Sequence, residues 1–204
     1  VDGPVAQNEI CYIDLDGVRL MAEVIKVTGR QAYAQVFEST RGLYVGCAAE
    51  FTGRMLEVTL GPGMLSRNYD GLQNDLNAMT GVFLTRGEYT PALDAEARWN
   101  FTPLVSPGDT VSAADWIGEV PEGWISHKIM VPFDYPGTGT IKSIAPAGAY
   151  RAADTIAVVT GEDGTERELT MTMRWPVKIE VRGYAAKPRP AKILETGVRA
   201  MDIL

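Results

Sequence analysis

Between Ile10 and Leu60 the chain is a succession of short β-forming runs, "ICYIDLDGVRLMAEVIKV", "QAYAQVFE", "GLYVGCAAEFTG" and "MLEVTLGPG", with glycine and proline at the joints. Apolar and polar residues alternate within them, which is strand periodicity. Asp16-Gly17 stands between two alternating segments, the two-residue signal of a hairpin. Short strands in series predict a small barrel or sandwich, and the barrel is favoured because closure removes the edges that such strands leave open.

After Gly61-Pro62-Gly63 the texture changes. In "NYDGLQNDLNAM" Leu72, Leu76 and Met79 fall on one helical face behind a cap at Asn68 or Asp70, and the spacing predicts a helix. The turn-rich, acidic stretch "GEYTPALDAEARWNFTPLVSPGD" sets a boundary near Ala97. From Trp99 to Met173 there is an internal echo: "AADWIGEV" at 113–120 returns as "AADTIAVV" at 152–159, each behind a glycine turn, Pro107-Gly108 and Ala147-Gly148. A second hairpin turns at Asp163-Gly164. The exit "RWPVKIEVRGYAAKPRPAKILETG" is an extended connector, since Pro188 and Pro190 bar a helix there. In the closing "LETGVRAMDIL", Thr196 is a candidate N-cap, with Val198, Met201 and Leu204 at helical spacing and nothing in view to pack against. The chain opens at Val1 without an initiating Met, so it reads as an excised segment.

With 204 residues and 46% hydrophobic content there is material for one large core or two small ones. No apolar run approaches the roughly 18 residues that span a bilayer. A net charge of −7 with scattered lysines and arginines argues against a nucleic-acid partner. Cys11 and Cys47 lie too far apart in sequence for metal-ligand spacing, and reduced thiols in a cytoplasmic compartment are expected.

The pseudo-repeat of hairpins resembles the barrel-sandwich hybrid of biotinyl and lipoyl carrier domains, which makes Lys128 a candidate for modification. In carriers that lysine occupies a hairpin tip, whereas Lys128 runs straight into the apolar strand "IMVP". His127 has no second His or well-placed Cys to share a metal with. "LGPGML" and "YPGTGT" lack the phosphate-loop pattern, and no Ser/His/Asp set can be assembled around the lone histidine. The expected site inventory is therefore empty: no catalytic, cofactor-binding or metal-ligating residue. Trp99, Trp116 and Trp124, in a loop-rich segment, are candidates either for a docking face or for the core.

Taken in order, "AYAQVFESTRGLYVG" (32–46), "TGRMLEVTLGPGMLSRNYDGLQ" (52–73), "WNFTPLVSPGDTVSAADWIGEVPE", "HKIMVP", "GAYRAADTI", Trp175-Pro176-Val177, Pro188-Arg189-Pro190 and "TGVRAMD" are similar to the N-terminal part of the catalytic A subunit of V/A-type rotary ATPases. The resemblance covers nearly the whole chain. It implies a mainly β fold with few helices. Residues 1–65 would be the barrel that joins a crown around the A3B3 hexamer of A and B subunits, and 66–97 a helical connector. Residues 98–173 would be the A-subunit insertion, or bulge, a β-rich barrel-sandwich-like domain that engages the peripheral stalk. Residues 174–204 would be a connector and the start of the nucleotide-binding domain, with the phosphate-binding loop beyond Leu204. The implied parent is an ATP-hydrolysing or ATP-synthesising enzyme that uses Mg-ATP and couples it to H⁺ or Na⁺ transport; it is cytoplasmic and peripheral on its membrane. This segment alone would be neither enzyme nor cofactor-binding. The other readings are a stand-alone interaction module and a biotinyl- or lipoyl-type carrier. Asn74-Asp75, Val198 and the long "KIEVRGYAAK" depart from the family's usual residues and suggest a bacterial branch.

Overall fold

The computed structural model describes residues 3–79, 81, 85–182, 186 and 188–198. Strands β1 (Glu9–Leu15) and β2 (Val18–Thr28) meet at Asp16-Gly17, where φ is 53° and 85°, the doubly left-handed turn whose twist suits a hairpin. Gly17 N donates to Asp14 Oδ1 at 3.0 Å and closes it. Strand β3 (Gln31–Val36) pairs with the far half of β2, and β4 (Ala49–Met55) lies on the other side of β1. The order is β3-β2-β1-β4, antiparallel throughout. Bulges between Val24 and Lys26 and between Glu9 and Cys11 increase the local twist and bend the sheet around Cys11, Ala22 and Val24.

A short ribbon follows. Strand β5 (Glu57–Leu60) pairs with the much later β14 (Met173–Pro176), so the intervening chain leaves and returns at adjacent points, Leu60 opposite Met173. Between them lie β6 (Arg98–Pro103), β7 (Thr110–Ser112), β8 (Trp116–Glu122), β9 (Ile125–Met130), β10 (Thr138–Ile144), β11 (Gly148–Arg151), β12 (Ala157–Gly161) and β13 (Glu166–Leu169). They form two four-stranded antiparallel sheets, β13-β12-β10-β7 and β11-β6-β8-β9. Both sheets contribute to one core: Phe101, Ile117, Val120 and Ile129 from one, Val111, Ile141, Val159 and Leu169 from the other.

The internal echo is a structural repeat. In the first copy Ser112 N donates to Asp115 Oδ2 at 2.7 Å, and Leu104 N donates to Ile117 O at 3.0 Å. In the second, Arg151 N donates to Asp154 Oδ2 at 2.8 Å, and Ala145 N to Ile156 O at 2.7 Å. The aspartate of each Ala-Ala-Asp closes a turn, and the isoleucine two residues on is buried.

The helix expected around 68–79 does not form, and among the described residues every regular element is a strand. The Asp70 carboxylate accepts from Leu72 N at 2.9 Å and Asn74 N at 2.8 Å, an Asx turn that takes the amides a helix would need. Gln73 sits at φ 63°, held there by its side chain: Oε1 accepts from Thr59 N and Nε2 donates to Thr59 O, both at 2.7 Å. The segment is a hydrogen-bonded coil on the ribbon. Of the closing helix, Met201 and Leu204 lie outside the described residues; Val198 N does donate to Thr196 Oγ1, at 3.1 Å.

Candidate functional site

Lys128 lies inside β9, and the tip of its hairpin is Gly123-Trp124. Its ammonium pairs with Glu119 on the neighbouring strand and sits 5.4 Å from the Trp116 ring centre. The Lys128 ammonium, with the Ser126 hydroxyl, holds the Glu119 carboxyl below the usual range. A lysine engaged in this way within a strand is not displayed as a carrier lysine is.

Cys11 is buried in the first sheet and Cys47 is half-buried in the loop before β4; both are free thiols. The three tryptophans separate. Trp99 packs against the barrel-sandwich core, with its indole nitrogen buried and unpartnered, while Trp116 is 55% and Trp124 93% exposed. Among the described residues no three His, Cys, Asp or Glu side chains converge as metal ligands. No helix there is long and apolar enough to cross a membrane.

The organised polar geometry is at the junction of the two units. Glu122, the last residue of β8, is only 5% exposed. Alternation along β8 turns Gly118, Val120 and Glu122 to the same inward side. Its Oε1 accepts from Gly63 N at 2.6 Å and from Leu65 N at 3.2 Å, both in the Gly-Pro-Gly loop that follows β5. Its Oε2 lies 2.6 Å from His127 Nδ1, and that contact makes Nδ1 the donor. The lone histidine thus braces a buried carboxylate. Sequence reasoning missed Glu122, although the inward register of "IGEVPE" carried the signal.

Behind this loop a second buried carboxylate, Asp75, accepts from Asn77 N at 3.0 Å and pairs with Arg67. The Asn77 amide, then the Arg67 guanidinium, hold the Asp75 carboxyl below its ordinary value, against burial that acts the other way. Asn74 Oδ1 accepts from Thr90 N at 2.9 Å, and the Tyr69 hydroxyl donates to Ala92 O at 2.7 Å. Further on, Glu38 accepts from Gly87 N and from the Tyr89 hydroxyl, which itself receives Met21 N at 3.0 Å. Gln73 is thereby tied to the ribbon, and Gly87 and Tyr89 to the first sheet and the loop after it. Chemically the arrangement offers fixed orientation between two β units.

Two family models match the chain: the ATP synthase alpha/beta family beta-barrel domain over residues 1–53, and the ATP synthase alpha/beta subunit barrel-sandwich domain over residues 90–178. The V-type ATP synthase alpha chain of Treponema denticola is 47% identical over 204 residues, covering 98% of this chain and 35% of that protein. The V-type ATP synthase alpha chain 1 of Treponema pallidum is 48% identical over the same coverage, and the alpha chain of Borrelia hermsii 44% identical over 205 residues, 99% of this chain and 35% of that one. The chain spans about a third of the length of these relatives. With a strand-built first unit and a barrel-sandwich second unit where the two models place them, the chain belongs to the ATP synthase alpha/beta family, on the V-type alpha-chain branch.

Proposed function

We propose that this chain is the N-terminal, non-catalytic region of the A subunit of a V/A-type ATPase, and that it serves as a scaffold. The observation that carries the reading is the match of 98% of the chain to a V-type ATP synthase alpha chain at 47% identity. The junction supports it, because buried carboxylates and paired strands hold the two β units in a fixed relation. In the parent, ATP turnover drives or follows H⁺ or Na⁺ movement across a membrane on which the assembly is peripheral, on the cytoplasmic side. Phosphoryl transfer needs a glycine-rich cradle, a lysine, Mg²⁺, an activating acid and an arginine finger, and those belong to the part of the parent that binds Mg-ATP. The first unit joins A and B subunits in the A3B3 hexamer and gives the moving domains a rigid reference. Residues 98–173 dock the peripheral stalk, and the exposed Trp116 and Trp124 are the side chains suited to it.

Calorimetric titration of the 204-residue chain with Mg-ATP is expected to show no saturable heat. Saturable binding refutes the scaffold assignment. Deleting residues 99–173 from the parent subunit is expected to abolish stalk binding, and unchanged binding refutes the docking role.

A further inference from the structure

We propose that the cleft between the Tyr135-Pro136-Gly137 turn and the β12–β13 hairpin takes one basic side chain, arginine or lysine, from a partner protein. The glycine-rich "YPGTGT" forms one wall, and the hairpin from Gly161 to Arg167 forms the other. Its volume of about 350 Å³ lies at the small end of ligand clefts, room for a side chain. Tyr135 supplies the floor. Gly139 and Gly161 are cross-strand partners on β10 and β12, and the ring covers the bare backbone they leave: a Cβ at Gly139 would stand 2.2 Å from the Tyr135 hydroxyl, and one at Gly161 3.6 Å from it. Tyr135 is 7% exposed, yet its hydroxyl bonds to no protein group among the described residues. A buried hydroxyl normally finds a partner, and this one ends beside Gly161, in the wall of the cleft.

The charge at the mouth selects the occupant. Arg167 is taken up by Asp134, its Nη2 donating to the two carboxylate oxygens at 2.9 and 3.1 Å, and Lys142 by Glu166 at 2.6 Å. Glu162 and Asp163 have no cation partner among the described residues. Thr138 Oγ1 donates to Glu162 Oε1 at 2.6 Å and fixes that carboxylate across the mouth. Thr165 N and Oγ1 donate to the two Asp163 oxygens at 2.9 and 2.8 Å and hold its carboxyl below the usual range, so it stays ionised. An entering anion meets two uncompensated carboxylates, whereas a cation meets two that are already oriented. A long basic side chain suits the floor as well: its stem lies along the Tyr135 and Pro136 rings while its N–H groups donate to the Tyr135 hydroxyl and Glu162. Trp116 and Trp124 lie on the β8–β9 hairpin of the other sheet, so this surface is separate from the one assigned to the stalk, and the inference does not rest on the scaffold reading.

The test is made on the 204-residue chain. N-acetylarginine methylamide and its lysine counterpart, blocked so that only the side chain carries charge, are titrated while the amides of Gly161, Glu162 and Thr165 are followed by heteronuclear NMR. One or both are expected to saturate in the millimolar range, and the neutral citrulline counterpart to bind about fivefold or more weakly. Glu162→Gln should weaken binding about fivefold. Tyr135→Phe keeps the ring over Gly139 and Gly161, so the melting midpoint should hold while binding weakens about threefold; a residue that only covers the glycine pair would leave binding unmoved. No saturable shift with either basic probe overturns the proposal, as does citrulline binding equally well or unchanged affinity in both variants. Free arginine binding about tenfold or more tightly than its blocked form would mean that the cleft reads the amino acid's own backbone, and would overturn the assignment to a partner protein.

Discussion

Gly118 is the position at which one methyl group should do the most damage. A Cβ built there would stand 2.1 Å from Phe101 Cε2, 2.4 Å from Phe101 Cζ and 3.0 Å from Thr102 O. Carbon atoms in contact settle at about 3.5–4.0 Å, so the ring would have to retreat by roughly 1.5 Å. It has little room: Phe101 is 1% exposed and already set edge to face on Tyr150 at 6.3 Å. Overpacking of this kind costs about 1–3 kcal/mol, and the size of the overlap puts Gly118→Ala near the top of that range. At roughly 2–4 °C per kcal/mol for a chain of this size, the midpoint of thermal unfolding should fall by about 6–12 °C, read by calorimetry or circular dichroism. Trimming the ring supplies the control. In Phe101→Leu the added methyl should be partly accommodated, with a coupling of about 1 kcal/mol or more in the double-mutant cycle. A midpoint for Gly118→Ala within about 1 °C of the wild type would refute the packing argument. The second copy of the echo carries Ala157 at the equivalent place, so the glycine is a demand of Phe101 and not of the repeat.

The other predictions concern charge, a hydroxyl and thiols. The Asp75 carboxyl is held low in the folded chain, so its contribution to stability is present above the unfolded value of about pH 4 and is lost as pH falls through the lower folded value; thermal melts below that pH should lose less in Asp75→Asn than in the wild type, and parallel losses would contradict this. Tyr89→Phe removes the hydroxyl that meets Met21 N and Glu38, which should cost about 1 kcal/mol and speed amide exchange at Met21; unchanged exchange there would refute the protection assigned to that hydroxyl. Burial, and then Glu9, push the Cys11 thiol up, so a thiol reagent should modify Cys47 in the native chain and Cys11 only on unfolding; equal rates would contradict that ordering.

Strand periodicity made most of this fold readable. The Asp16-Gly17 hairpin, the Asp163-Gly164 hairpin and the echo at 113–120 and 152–159 all appear where alternation and turn residues put them. The failure at 68–79 is instructive: Leu72, Leu76 and Met79 do have helical spacing, but side chains compete with the backbone for its own amides, and Asp70 and Gln73 win. Spacing reports which face is apolar; it does not report where a carboxylate will bond. Glu122 was hidden for a related reason, since a lone Glu near a Gly-Trp turn reads as solvated. Its partners, Gly63 and Leu65, lie 59 and 57 residues away in sequence, and only the long excursion between β5 and β14 brings them together.

The most direct test of the scaffold account is transplantation. The corresponding third of the Treponema denticola V-type ATP synthase alpha chain, 47% identical to this chain, is replaced by these 204 residues, and the chimera is mixed with B subunits and examined by native mass spectrometry. The account predicts an A3B3 hexamer that hydrolyses Mg-ATP, because the transplanted part supplies the framework and the host supplies the nucleotide site. A folded chimera that stays monomeric with B subunits present would contradict it.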